Sequence, residues 1–422
     1  MDRSETISAT IGGQRPTAQD ALASRHTPAR SLYLHVPFCF HKCHYCDFYS
    51  IVDTGDRHEA FVRTLVRELE TLAPFATAPI ETIFVGGGTP TLLAPAHWSE
   101  LLGHMHRLFD LAPIRAGSGE FTIECNPETA TPELFDVLVA GGVNRVSIGA
   151  QSFNETHLKT LERWHDPASV PKALAIAAAA GVERRSVDLI YAIPGQTLAE
   201  WDEDLDRALA LDPGVGHVSA YALTYEPNTA MTMRMRLGDF EAIDEDLEAS
   251  MFERTTERLS GAGFERYEVS NYARPGASGG PARHNLAYWR GGSWLAAGPS
   301  ASGHVRTEQG GWRWKNAPRL TDWQRGVEAT GFSPVDDLEP PDPARALAET
   351  IMLGLRLSEG LDATALDAEA ARLGAGEAFA EAEERERRAG RLARRGGRLE
   401  LTESGWLHAD AVAAELMASL PR

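Results

Sequence analysis

Apolar and polar positions alternate in two periods along this chain. Short apolar runs occur at Leu32–Val36, Thr82–Val85, Phe121–Glu124, Arg145–Gly149, Ser186–Ile193, His217–Tyr225 and Tyr267–Tyr272, and each predicts a strand. Between them the period lengthens. Phe61, Val62, Leu65, Val66, Leu69 and Leu72 fall on one face of a helix, and Lys172–Ala180 and Glu241–Leu259 predict two more. Strand–helix alternation of this kind predicts a parallel sheet with crossover helices, curved into a barrel or most of one. In that architecture chemistry sits at the C-terminal ends of the strands.

The alternation places a core over 31–273. A Gly/Pro loop at Pro275–Pro281 opens an aromatic- and glycine-rich extension over 274–333, and a Pro/Asp-rich connection, Ser333–Pro343, follows. Residues 344–422 predict a small α-rich, winged-helix-like domain: a helix at Ala346–Leu357, an arginine-studded stretch at Arg385–Arg398, a strand at Arg398–Leu401 and a last helix. Residues 1–30 lack an apolar segment and read as a disordered leader. No run of about eighteen apolar residues predicts a membrane span.

The net charge of −19 disfavours a nucleic-acid partner, whose phosphates need a basic surface. Arg385, Arg387, Arg388, Arg391, Arg394, Arg395 and Arg398 form the one basic stretch, but Glu381, Glu383, Glu384 and Glu386 adjoin it, as in a solvated charged helix. Of four cysteines, three lie within eight residues, which points to a metal site in a reducing cytoplasm rather than to disulfides. The fourth, Cys125, reads as a small buried hydrophobe.

The cluster is Cys39-x-x-x-Cys43-x-x-Cys46, directly after the first strand. Three thiolates on a short loop can ligate three irons of a 4Fe–4S cluster and leave one iron open. His41, Lys42 and His44 lie between them, and positive charge there favours the thiolate. Zinc completed by His35 or His44 and a set of buried thiols are the competing readings.

This spacing, with an aromatic residue before the third cysteine, resembles the signature of the radical S-adenosylmethionine (SAM) superfamily. The resemblance implies that the open iron chelates the methionine amino and carboxylate groups of SAM, and that reductive cleavage yields a 5′-deoxyadenosyl radical. It also implies an electron donor such as flavodoxin or ferredoxin. Gly86-Gly87-Gly88-Thr89-Pro90 closes the second strand and resembles the glycine motif of that superfamily, with Gly87, Gly88 and Thr89 against the cofactor. Glu124, Gln151, Arg163 and Asp188 follow at later strand ends. Together with Tyr33, they match the cofactor-contacting positions of the oxygen-independent coproporphyrinogen III oxidase family. The implied fold is α/β: a partial TIM barrel of about six parallel β/α units, extra C-terminal strands and the small C-terminal domain.

That family has a decarboxylating branch, which carries a further cysteine two residues beyond the third ligand; Phe48 stands there in this chain. Its other branch, the haem chaperones, is marked by His-Asn-x-x-Tyr-Trp, present as His284-Asn285-Leu286-Ala287-Tyr288-Trp289. Leu295-Ala296-Ala297-Gly298-Pro299-Ser300-Ala301 resembles the glycine-rich continuation of that branch, with Ala296 in place of a glycine. The resemblance implies haem as cargo, haem-accepting proteins such as respiratory ones as partners, and His284 as axial iron ligand, with Tyr288, Trp289 and Trp294 covering the macrocycle. On residue type alone, these aromatics read sooner as core packing and His284 as a hydrogen-bonded structural histidine. No C-x-x-C-H occurs, so cytochrome c-type attachment is not expected. The cluster and SAM are expected to control haem transfer.

Overall fold

The computed structural model describes residues 18–53, 55–276 and 278–421. Its centre is a twelve-stranded sheet. Six strands run parallel in chain order: β1 (Ser31–Val36), β2 (Thr82–Gly87), β3 (Glu120–Cys125), β4 (Arg145–Gln151), β5 (Arg184–Tyr191) and β6 (His217–Ala222). Helices such as His58–Leu72, Pro95–Leu108, Ser169–Ala179 and Leu198–Leu209 make the crossovers.

The core strands alternate. In β1 the apolar Leu32, Leu34 and Val36 are fully buried, and β3 and β5 bury Phe121, Ile123, Val187 and Leu189 in the same way. These residues belong to one continuous apolar cluster with the crossover helices. The intervening positions of the strands are polar almost throughout: Ser31, Tyr33 and His35; Glu120, Thr122 and Glu124; Arg145 and Ser147; Arg184, Ser186 and Asp188; His217 and Ser219. Because successive side chains of a strand point to opposite faces, these residues share the concave face.

The last of the seven predicted strands differs in the structure. Tyr267–Tyr272 is not one strand but a tight hairpin, β7 (Glu265–Glu268) and β8 (Asn271–Ala273), with β8 antiparallel to β6. A seventh parallel strand comes instead from β9 (Trp294–Ala297), which pairs with the other side of β1. Antiparallel β10 (Ser302–Thr307), β11 (Gly310–Asn316) and β12 (Val335–Glu339) extend that edge. The order β12-β11-β10-β9-β1-β2-β3-β4-β5-β6-β8-β7 has two free edges, so the barrel stays open.

The last segment has its own apolar core. Its order is helix Pro343–Gly354, β13 (Leu361–Asp362), helices Ala363–Arg372 and Gly376–Arg388, hairpin β14 (Leu392–Arg395) and β15 (Arg398–Leu401), then helix Ala409–Ala418. The hairpin turns on Gly396 and Gly397, both at positive φ, as a two-residue turn between twisted strands requires. Helix Pro343–Gly354 starts before the expected Ala346, because Asp342 accepts from the Arg345 amide at 2.7 Å and caps it.

Of the segment read as a disordered leader, residues 1–17 lie outside the described residues. Residues 18–30 correct that reading: Ala18–Leu22 is helical, and Ala18, Ala21 and Leu22 are buried in the main core. The Thr27 amide donates to the Arg306 carbonyl at 2.8 Å. A small apolar face too short to stand out in the sequence is enough to dock this turn.

Candidate functional site at the mouth of the barrel

The structure brings together at one mouth the residues singled out at the C-terminal strand ends. The chain leaves β1 through Pro37 and Phe38 and enters the loop that holds Cys39, Cys43 and Cys46, all free thiols and all partly exposed. A short parallel pairing of Phe38–Cys39 with Ile51–Val52 closes the loop's base. Thr89 Oγ1 donates to Cys39 Sγ at 3.8 Å, and Arg163 Nη1 donates to Cys43 Sγ at 3.5 Å. Burial pushes the Cys39 thiol up and the Cys46 thiol to about 11, so metal ligation there must displace protons.

Among the described residues no three His, Cys, Asp or Glu side chains converge to hold a single metal ion. A zinc ion draws its ligands to within about 2.3 Å of one point, whereas a cubane cluster takes its thiolates at separate corners. Three thiols on one short loop are the donor set that a 4Fe–4S cluster with one open iron takes. His35 is no zinc ligand: its Nδ1 lies 3.0 Å from the Tyr33 hydroxyl and its Nε2 2.8 Å from the Tyr49 carbonyl.

The glycines after β2 are needed for close approach. A Cβ at Gly87, whose φ is +102°, would lie 2.4 Å from the His35 ring, and one at Gly88 would lie 2.6 Å from the Phe38 carbonyl. The Gly87 amide donates to Glu124 at 3.1 Å. Burial and the nearby Asp188 raise the Glu124 carboxyl to about 7, while the Gly87 amide pulls the other way. Burial likewise raises Asp188, against the Ser147 hydroxyl, which donates to it at 3.0 Å.

Arg163 joins the two sides of the mouth. Besides Cys43 it donates to the Gly149 carbonyl at 3.2 Å. Gln151 beside it takes a left-handed φ of 61°, which turns the end of β4. The mouth thus combines a glycine turn, two half-buried carboxylates and one half-buried guanidinium beside three thiols.

The geometry joins two comparisons. Residues 33–208 match the Radical SAM superfamily, and residues 342–408 match the HemN C-terminal domain. A heme chaperone HemW from Mycobacterium tuberculosis is 39% identical over 410 residues, 96% of this chain and 99% of that protein. This chain belongs to the heme chaperone HemW family, within the radical SAM superfamily. The HemW of Escherichia coli is 39% identical over 67% of this chain and 72% of that protein. A zebrafish (Danio rerio) relative, named radical S-adenosyl methionine domain-containing protein 1, mitochondrial, is 31% identical over 82% of this chain and 77% of its own length. The solved coproporphyrinogen III oxidase HemN of Escherichia coli shares the fold: TM-score 0.79 at 22% identity, covering 95% of this chain and 93% of that one. Membership of the radical SAM superfamily implies a 4Fe–4S cluster and SAM.

The His284–Trp289 stretch lies elsewhere, at the opposite end of the barrel. Its helix, Arg283–Trp289, packs beneath the first residues of β1–β3. His284 is buried, with Nδ1 2.9 Å from Thr82 Oγ1 and Nε2 2.8 Å from the Tyr288 hydroxyl. Burial lowers its pKa to about 4, so the ring is neutral. Glu120 accepts from the backbone amides of Arg283 and His284, each at 3.0 Å, and satisfies the start of the helix. Asn285 donates to the Tyr267 hydroxyl at 3.4 Å. Both ring nitrogens of His284 are thus bonded within the barrel floor, to Thr82 and to Tyr288.

Proposed function

We propose that this protein binds haem and delivers it to haem-accepting proteins, such as those of respiratory chains. A near-full-length match to a heme chaperone HemW carries the reading, with 39% identity over 410 residues. Phe48 supports it against porphyrinogen decarboxylation, because an exposed phenyl stands where the decarboxylating branch has a thiol.

At the mouth, Cys39, Cys43 and Cys46 hold a 4Fe–4S cluster. Tyr33, Gly87, Gly88, Thr89, Glu124, Gln151, Arg163 and Asp188 surround SAM on its open iron. The glycine backbone admits the methionine end, the carboxylates of Glu124 and Asp188 suit ribose hydroxyls and an ammonium, and Arg163 with Gln151 suits a carboxylate. When bound, the pair supplies one-electron reductive cleavage of a sulfonium. His35 and the Tyr49 carbonyl are joined beneath this site at 2.8 Å. An electron donor such as flavodoxin or ferredoxin serves the cluster, whose state controls haem release. Free thiols of this kind fit a reducing cytoplasm; no helix among the described residues is long and apolar enough to cross a membrane.

The test is anaerobic reconstitution with iron and sulfide, followed by haem transfer to an apo-acceptor and a parallel assay with coproporphyrinogen III, SAM and a reductant. Haem transfer without decarboxylation is expected. Turnover of coproporphyrinogen that is lost in Cys43→Ala would replace this reading with an oxidase.

A further inference from the structure

Residues 161–165 pack against the cysteine loop. The Leu161 carbonyl accepts from the His44 amide at 3.3 Å. Glu162 takes a left-handed φ of 53°, and the three side chains after it alternate in direction. Trp164 turns outward and stacks on His41 of the loop, with ring centroids 3.9 Å apart. Arg163 and His165 turn inward, and His165 is buried.

Three anchors hold the Arg163 guanidinium. Nη1 donates to Cys43 Sγ at 3.5 Å, Nη2 to the Gly149 carbonyl at 3.2 Å, and Nε to His165 Nδ1 at 3.3 Å. The N–H groups of a guanidinium lie in one plane, so an anchor on Nε and one on each tip fix that plane. The N–H groups not taken by these anchors remain for a ligand. Without the Nε anchor, a long side chain would be left with two tip contacts, one of them to a sulfur.

The His165 ring is set for this task. A guanidinium only donates, so Nδ1 must present its lone pair and the ring proton sits on Nε2. Nε2 is buried, and no acceptor among the described residues completes a hydrogen bond with it. A buried N–H in that state destabilises the fold and calls for a functional account. Arg163 and Asp166 are the charged groups that face the ring. Burial, then Arg163, lowers its pKa to about 4, against the Ala150 carbonyl and Asp166, so the ring is a neutral acceptor near neutrality.

We propose that His165 is a positioning residue of the SAM site: through Nδ1 it orients the Arg163 guanidinium, so that one tip meets Cys43 and the remaining N–H groups meet the SAM carboxylate. The proposal rests on the cluster and SAM reading above and adds a residue to it. Partners one layer behind a binding group fix its orientation, and their loss typically costs about 10–100-fold in affinity or activity. An N–H from Arg163 to the Cys43 thiolate also draws off charge and favours the reduced cluster.

The experiment compares His165→Phe with His165→Gln in the full-length, cluster-loaded protein under anaerobic conditions. The glutamine amide keeps an acceptor and a donor, whereas the phenyl ring keeps the shape alone. SAM affinity by calorimetry is expected to fall by about tenfold or more in His165→Phe, and by no more than about threefold in His165→Gln. The midpoint potential of the cluster, titrated under electron paramagnetic resonance, is expected to fall in His165→Phe. On an Arg163→Gln background His165→Phe adds nothing further to that change. If His165→Phe takes up no cluster, isotope-labelled histidine nitrogen spectra of the cluster-free wild type decide. A ring that stays neutral between about pH 6 and 8, with an Nδ1 resonance that moves in Arg163→Gln, supports the bond. A ring that titrates near the ordinary 6.5, or ignores Arg163→Gln, overturns it. Wild-type affinity and potential in His165→Phe, or equal losses in the two variants, overturn the role of His165 and leave the SAM reading standing. A loaded wild-type protein that binds no SAM overturns both.

Discussion

Individual polar side chains in this barrel are held by opposing effects of similar size. Glu124 illustrates this: burial and Asp188 push its carboxyl up to about 7, while the Gly87 amide stabilises the charged form. Glu124→Gln removes the charge and one acceptor from the proposed SAM site. We expect SAM affinity, measured by calorimetry under anaerobic conditions, to fall by about tenfold or more. His284 gives a prediction in pH. Its folded pKa of about 4 lies below the ordinary 6.5, so between these values the unfolded chain binds more protons and acidification removes stability. Raised carboxyls such as Glu68, at about 8, act in the opposite direction, so wild type must be compared with His284→Gln. Wild type is the more stable near neutrality, and its advantage in urea unfolding is expected to shrink by about 1–2 kcal/mol from pH 6.5 to 5. A constant gap would mean that the ring is not held neutral.

Elements here are positioned by buried charges as much as by apolar faces. Glu120 is fully buried, at the start of β3, yet it receives Arg184 and two backbone amides of a helix more than 160 residues away. The charges of Arg145 and Arg184, with those two amides, keep its carboxyl below the usual carboxylate range despite burial. Glu120→Ala leaves Arg184 partly uncompensated and two amides unsatisfied. We expect a loss of about 3–5 kcal/mol in denaturant unfolding, well above the effect of a surface carboxylate. Glu68 ties other elements together: Gly298, Asn316 and Trp323 donate to it at 2.7–3.0 Å, joining helix His58–Leu72 to three later segments. The glycine-rich Gly298 turn of the family motif thus ends on a buried carboxylate.

At the scale of the whole molecule, charge pairing decides what the surface offers. The arginines between 385 and 398 are answered within the C-terminal domain: Arg385 by Glu415, Arg387 and Arg388 by Glu384, Arg391 by Glu386, Arg394 by Asp367 and Glu383, and Arg395 by Glu400. Arg398 donates to the Glu359 and Gly360 carbonyls. Despite its winged-helix-like order of elements, this domain presents no unpaired basic face along that stretch. RNA is expected to show no salt-dependent retention by the protein in filter binding; a steep salt slope would contradict the pairing.

Much of the mouth was legible in sequence, because cofactor chemistry dictates residue types at short spacings: the cysteine loop, the glycines after β2, and Glu124, Gln151, Arg163 and Asp188 at strand ends. The polar lumen was legible too, in the two-residue alternation of strands such as Arg145-Val146-Ser147-Ile148 and Arg184-Arg185-Ser186-Val187-Asp188, although reading these as apolar runs concealed it. Other features depended on contacts between distant segments. Whether Tyr267–Tyr272 is one strand or two depends on the partner that β8 finds in β6. What a histidine ring meets is likewise decided by the fold: the nitrogens of His284 meet Thr82 and Tyr288. Local sequence specifies periodicity and residue chemistry, but hydrogen-bond saturation also needs distant neighbours, such as Thr82 for His284, and only the tertiary structure brings them together.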